Sequence, residues 1–267
     1  MEKQKKYALL DTDFIFKSHL AHDPLCNTLA DIIITFEGYE FFCHKMILDE
    51  LSRHQITPNP LPWLQELIKN GKVHLFTDAD ILNELKTVYG PAASSMYTTL
   101  LEKSCNTFNQ GFFSQYYDTL KMLPLFTSDS EFLRQLAECD ALIPSQNGLG
   151  EKKTYVLIQM MDVLHPGMVY FFCSDDFDAR QSLNTIPVKV HCLSILGVFQ
   201  VLKEQSYGKE QMQPYFDSLS EFLARQLQKT YRVWNNHRRT KVPMAQVFDD
   251  IYEGRFQLLR NGDLSYI

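Results

Sequence analysis

The chain has 267 residues, 45% of them hydrophobic and 22% charged, with a formal net charge of −6 at pH 7. That length and mix describe a globular protein with a large core, either one elaborated domain or a domain with an extension, and exclude a disordered or fibrous chain. The net acidity excludes a surface that is basic overall, but not a local basic patch.

Residues 7–10 (YALL) form a short apolar run ended by Asp11, the pattern of a buried parallel strand. The basic residues before it resemble the start of a signal peptide. Asp11 and Asp13 break the apolar run, however, and no small-residue cleavage site follows. Residues 22–36 are mixed and expected to be helical. YEFFC (39–43) predicts a second strand, followed by a helix from near Lys45 that carries Glu50. The three prolines of 57–62 predict a loop, and Leu64, Leu67 and Ile68 a helix ended by Asn70-Gly71. KVHLF (72–76) reads as a third strand, after which Thr77 and Asp80 have the spacing of a helix cap.

Residues 92–143 are mostly helical in pattern, with breaks at Gly111 and Pro124. Gly148 and Gly150 bracket a turn, and Val156, Leu157, Met160, Met161 and Leu164 then give one face of a helix ended by Pro166-Gly167. MVYFFC (168–173) is apolar throughout, as in a strand buried on both faces, and VKVHCL (188–193) predicts the last strand. Strands alternating with helices imply βαβ units, hence an α/β protein with a central, mostly parallel sheet between two helical layers. Residues 1–204 are expected to form this domain, with a helical insertion over about 78–145, and 205–267 a basic, helical C-terminal extension.

The six cysteines form no C-x-x-C pair and no Cys/His cluster with zinc spacing. They read as thiols in a reducing cytoplasm. No apolar stretch is long enough to span a bilayer, so a soluble, intracellular protein is expected.

Four acidic clusters stand out: Asp11 and Asp13, Glu50, Glu151, and Asp175, Asp176 and Asp178. Asp11 and the Asp175–Asp178 group directly follow apolar runs, so they are expected in the crevice beyond the carboxyl ends of parallel strands. Carboxylates gathered in one crevice repel one another, and a divalent cation relieves that repulsion. An acidic site for Mg²⁺ or Mn²⁺ follows as the first hypothesis. Taken singly, each acid has a plainer explanation: Asp13 as a helix cap, Glu50 as a solvated helix residue, Glu151 as a first-turn acid, and Asp175–Asp178 as an ordinary turn.

The ordered set Asp11-Thr12-Asp13, Leu48-Asp49-Glu50-Leu51, Gly148-Leu149-Gly150-Glu151 and Ser174-Asp175-Asp176 resembles the PIN-domain family of metal-dependent ribonucleases. The segment SILGVFQVL (194–202) adds to the likeness, which covers roughly residues 7–202. Ser174 departs from the family's Thr, and the stretch between Glu50 and Glu151 is longer than in its compact members.

The resemblance implies hydrolysis of single-stranded RNA, with Asp11, Glu50, Glu151 and Asp176 as catalytic residues. The metal ligands are expected among Asp11, Glu151, Asp175, Asp176 and Asp178, with Asp176 favoured over Asp175. Asp13 and Ser174 would be accessory groups. Lys152, Lys153 and Arg180 are candidates to offset the charge of the phosphates. A protein inhibitor or partner, and a dimer, fit the same reading.

Residues 222–243 carry six cations and no acid, +6 against −12 for the rest of the chain. They form a solvated helix face or a phosphate grip through Arg232, Arg238 and Arg239, with Tyr231 and Trp234 placed to stack on bases. Two other functions fit part of the pattern. A haloacid-dehalogenase-like phosphatase would use Asp11 as nucleophile, Asp13 as acid/base, Thr77, a lysine at 152 or 153 and the late Asp pair, but has Ile15 where its usual Thr belongs. A non-catalytic PIN-like module would only bind RNA or protein.

Overall fold

A computed structural model describes residues 5–53, 59–146, 148–184 and 190–267. His54, the first part of the expected 57–62 loop and residues 188–189 of the expected last strand lie outside the described residues.

Five strands form the central sheet: β1 (Lys6–Leu10), β2 (Tyr39–His44), β3 (Val73–Phe76), β4 (Val169–Cys173) and β5 (His191–Leu193). Their order is β3-β2-β1-β4-β5 and every pairing is parallel. Beyond an irregularity at the start of the β1–β4 pairing, the strands alternate between two cores, because successive side chains point to opposite faces. Ala8, Leu10, Phe41, Cys43, Phe171 and Cys173 enter one core, whereas Leu9, Phe42 and Phe172 enter the other. This is the expected three-layer α/β/α arrangement, with helices covering both faces of a parallel sheet.

The first core is closed by α1 (Thr12–Leu20), α2 (Leu29–Ile33), α3 (Lys45–Arg53) and α4 (Leu61–Lys69). Only the five residues of α2 are helical within 22–36, where a turn around Asp23 and a bridge between His22 and Thr28 replace the longer helix expected. The second core is covered by α5 (Asp78–Tyr89), α6 (Ala93–Phe108), α7 (Phe112–Tyr116) and α8 (Asp129–Ala141), the expected insertion, around a central helix α9 (Leu149–Leu164). Thr77 and Asp80 cap α5 reciprocally, as their spacing predicts. Helix α9 is buried on all sides from Lys152 to Met161 rather than along one face, because α5, α6 and the sheet enclose it.

After α10 (Phe177–Asn184) and α11 (Ile195–Glu204) the chain does not become an all-helical extension. Helix α12 (Lys209–Arg225) is followed by a hairpin, β6 (Thr230–Asn235) and β7 (Arg238–Pro243), then α13 (Met244–Tyr252), β8 (Phe256–Leu258) and β9 (Leu264–Tyr266). The four strands form a second sheet in the order β7-β6-β9-β8. Asn236 and His237 both have positive φ (47° and 63°), the conformation a two-residue hairpin turn requires. Val233 and Val242 turn inward to the first core, so the basic stretch folds as a half-buried ribbon. Among the described residues no helix is long and apolar enough to cross a membrane.

Candidate functional site

Strands β1 and β4 are neighbours in the middle of the sheet, in a register that pairs Leu10 with Cys173. Chain order runs outward from them in opposite directions, so the crevice beyond their carboxyl ends is the topological switch point of the fold. Asp11 leaves β1 there, its N–H donating to the Cys173 carbonyl at 3.0 Å. Ser174 leaves β4 beside it. The Ser174 hydroxyl donates to Asp11 Oδ2 (2.8 Å) and accepts from the Asp176 N–H (3.2 Å). Asp176 in turn accepts the Ala179 N–H through Oδ1 (2.9 Å), capping the first turn of α10 and leaving its other oxygen uncommitted by that contact.

Glu50 enters from α3. Its Oε2 accepts from the Thr12 hydroxyl (2.5 Å) and its Oε1 from the Gly150 N–H (3.0 Å). One carboxylate therefore ties the start of α1 to the start of α9. A Cβ at position 150 would lie 2.6 Å from Glu50 Oε2, so any side chain there would displace the Glu50 carboxylate from this position. Gly148, with φ +67°, turns the chain into α9 and sets Glu151 in its first turn.

Asp11, Glu50, Glu151 and Asp176 thus meet in one crevice, and their mutual repulsion is legible in the acidities of Asp11 and Glu151. Burial pushes Asp11 up to about 8; Glu151 and Glu50 push the same way, against the Ser174 hydrogen bond. Burial pushes Glu151 up to about 7, with Asp176, Glu50 and Asp178 adding and Lys152 opposing. The α9 dipole, expected to keep Glu151 ionised, is outweighed by these terms.

Among the described residues neither Glu151 nor Asp178 has a hydrogen-bond or ion-pair partner, and no three His, Cys, Asp or Glu side chains form a ready-made ligand cluster. A half-buried carboxylate with no hydrogen-bond or ion-pair partner among the described residues, close to three others, is the donor chemistry that a hard divalent cation fits.

Several expected site residues have other work. Asp175 has partners of its own: Oδ2 pairs with Lys17 (2.5 Å) and Oδ1 accepts the Ile195 N–H (3.1 Å). Both of its oxygens are thus engaged, whereas Asp176 commits one of its own to the Ala179 N–H. Asp13 pairs with the same Lys17 at 2.8 Å, one helical turn away. Burial alone would lower the Lys17 pKa, but Asp175 and then Asp13 outweigh it and keep the ammonium charged. Asp178 is exposed in the first turn of α10.

Lys152, Lys153 and Arg180 are buried and bonded within the protein. Lys152 is buried, donating to the Gly148 carbonyl at 2.9 Å and lying over the Phe112 ring. Lys153 is fully buried between Asp78 (3.1 Å) and Asp140 (3.0 Å), whose other partners include the Tyr97 and Tyr117 hydroxyls. Arg180, 2% exposed, bonds the Ser174 and Asn261 carbonyls and Asp263, strapping the C-terminal sheet to the end of β4. The charges of Lys153 and Arg180 are sealed because compensating acids arrive from distant parts of the chain.

The groups a phosphatase would need are similarly engaged: Asp13 by Lys17, Thr77 by the α5 cap, and Lys153 by its two acids. In the basic ribbon, Arg232 and Arg238 are exposed and the Arg239 guanidinium lies over Phe177. Trp234 donates its indole N–H to Asp263 (2.9 Å), which holds it in place as a structural side chain.

Sequence reasoning missed Thr12 and Gly150 as the holders of Glu50, and Lys17 as the clamp on Asp13 and Asp175. The i,i+4 spacing of Asp13 and Lys17 was the available signal for the last. Comparison of the chain with protein-family models, with curated proteins and with solved structures finds no match to any of them.

Proposed function

We propose that the chain is a PIN-like, metal-dependent endoribonuclease that hydrolyses phosphodiester bonds of single-stranded RNA. The observation that carries this reading is the convergence of Asp11, Glu50, Glu151 and Asp176 at the switch point of the parallel sheet, with Glu151 half-buried and without a hydrogen-bond or ion-pair partner among the described residues. Asp11, Glu151 and Asp176 would hold Mg²⁺ or Mn²⁺, with Asp178 in reserve at the rim. The ion, when bound, offsets the charge of the phosphodiester and makes water acidic enough to attack near neutral pH.

The chain's own groups do the rest. Ser174 fixes the Asp11 carboxylate and, through the Asp176 N–H, the loop that presents the second aspartate. Thr12 and the Gly150 N–H hold Glu50 in one orientation, in which it can align a water molecule for attack. No described contact favours the phosphatase reading, whose acid/base and lysine are spoken for. The free cysteines suit a reducing compartment, so the cytoplasm is the proposed location.

The test is cleavage of single-stranded RNA in Mn²⁺ by the full chain and by Asp11→Asn and Asp176→Asn. Each substitution keeps the size of the side chain and removes its charge. Each is expected to lower the rate at least about a hundredfold, the scale of losing one charge-stabilising group at a reacting centre. Undiminished cleavage in both variants would overturn the assignment.

A further inference from the structure

Beside the acidic crevice lies a cavity of the opposite charge, about 340 Å³ in volume. Lys17 and Phe177 bound it on the side of the main sheet, and Tyr231, Arg232, Arg239 and Lys241 on the side of the β6–β7 ribbon. Asp175 belongs to its wall and is the neighbour of Asp176 in the chain, so the two sites adjoin.

The ribbon's register concentrates charge here. Arg232 stands directly opposite Lys241, and Trp234 opposite Arg239, so three cations share one face of a two-stranded ladder. Like charges in direct opposition destabilise such a pair. Among the described residues Arg232, Arg239 and Lys241 have no acidic partner, and the acids nearby are taken: Asp175 pairs with Lys17 and Asp263 with Arg180. Arg239 is also held in place, its guanidinium 3.6 Å from the centre of the Phe177 ring, while its Nε is buried without a hydrogen-bond acceptor. A pre-positioned guanidinium with an unsatisfied N–H, next to two further cations, is a receptor for an oxyanion.

We propose that this cavity is a phosphate subsite, holding the backbone of single-stranded RNA next to the bond to be cut. The identity of the ligand rests on the nuclease reading of the neighbouring crevice. The existence of an anion site does not. One face of Phe177 is covered by Arg239 and the Trp234 indole is bonded to Asp263, so the grip falls on phosphates rather than bases and carries no sequence preference.

Arg238 supplies an internal control. It adjoins Arg239 in sequence and carries the same charge, but pairs with Asn235 at the hairpin tip, on the opposite face of the ladder. The experiment measures binding of a short fluorescein-labelled single-stranded RNA to the full chain in EDTA, over a salt series. Arg239→Gln is expected to weaken binding several-fold more than Arg238→Gln, although the two variants have equal net charge. The Arg232→Gln/Arg239→Gln/Lys241→Gln variant is expected to lose about tenfold or more, and its salt slope to fall by about 0.7 per phosphate contact removed. The charge-keeping Arg232→Lys/Arg239→Lys variant should retain the slope.

Equal losses for Arg238→Gln and Arg239→Gln, or an unchanged slope in the triple variant, would overturn the subsite even if Asp11→Asn abolishes cleavage. Conversely, Asp11→Asn that binds and still cleaves would sink the assignment of cleavage to the acidic crevice and leave the anion site standing.

Discussion

At the scale of single residues, the acidic crevice is a store of unfavourable charge, and that has a measurable cost. Asp11 is raised to about 8 and Glu151 to about 7, burial being the larger cause in each. In an unfolded chain the same groups titrate near 3.9 and 4.3, about the ordinary values. Between roughly pH 4 and pH 8 the folded protein therefore holds more protons than the unfolded one, and stability falls as pH rises through that window. Below about pH 4 these two groups impose no penalty.

Other acids, such as Asp78, held far below its ordinary value by Lys153 and His44 against the effect of burial, act in the opposite sense at low pH. The difference between wild type and Asp11→Asn isolates the crevice. In metal-free buffer the variant is expected to melt close to wild type near pH 5 and above it near pH 8.5, by about 2–4 °C for each kcal/mol of repulsion removed. A constant offset across that range, measured by circular dichroism melts, would show that Asp11 is not buried among like charges.

At the scale of elements, helix α9 shows why part of the site was legible and part was not. The turn at Gly148 and the acid at position 151 are local signals, and both stand where the spacing put them. Asp11 and Asp176 follow from apolar runs that end in acids, since such runs are parallel strands and parallel strands end at the crevice. The lysines after Glu151 carried no local sign of their direction. Lys153 looks inward because Asp78, 75 residues earlier, and Asp140, on another helix, meet it there. Arg180 is likewise claimed by Asp263, 83 residues later. The basic ribbon was obscured for a different reason: its cations mask an alternation in which only Val233 and Val242 mark the buried face.

The buried triad also makes α9 an anchored element, because Lys153 sits two residues beyond Glu151. Lys153→Met leaves Asp78 and Asp140 buried without their counter-charge. The expected loss is about 3–5 kcal/mol, the scale of breaking a buried pair from one side. The triple change Lys153→Met/Asp78→Asn/Asp140→Asn should recover much of it, measured by urea denaturation, because it removes the orphaned charges. A single variant as stable as wild type would mean that the ammonium is solvated after all.

At the scale of the whole molecule, the C-terminal 60 or so residues supply 13 of the 36 buried side chains of a shared core. Met212, Phe216 and Leu219 of α12 and Val247, Phe248 and Ile251 of α13 belong to the same buried cluster as the β1 and β4 side chains. Phe199 of α11 meets Phe216 at 5.8 Å and Phe248 at 5.7 Å between ring centres, and Phe16 of α1 meets Phe222 at 5.6 Å. Each such side chain contributes about 1.5–3 kcal/mol on burial, and the net stability of an ordinary domain is only about 5–15 kcal/mol. Cutting the chain after Glu204 spares the entropy of ordering the removed residues, but it strips the outer layer from one face of the sheet and leaves Arg180 buried without Asp263.

A fragment of residues 1–204 is therefore expected to lose its cooperative thermal transition and to bind a hydrophobic dye such as ANS while keeping much of its far-ultraviolet dichroism. A fragment that melts sharply, close to the full chain, would show that the acidic crevice stands on a core of its own. In that case the second sheet, with its anion cavity, would be a separable part.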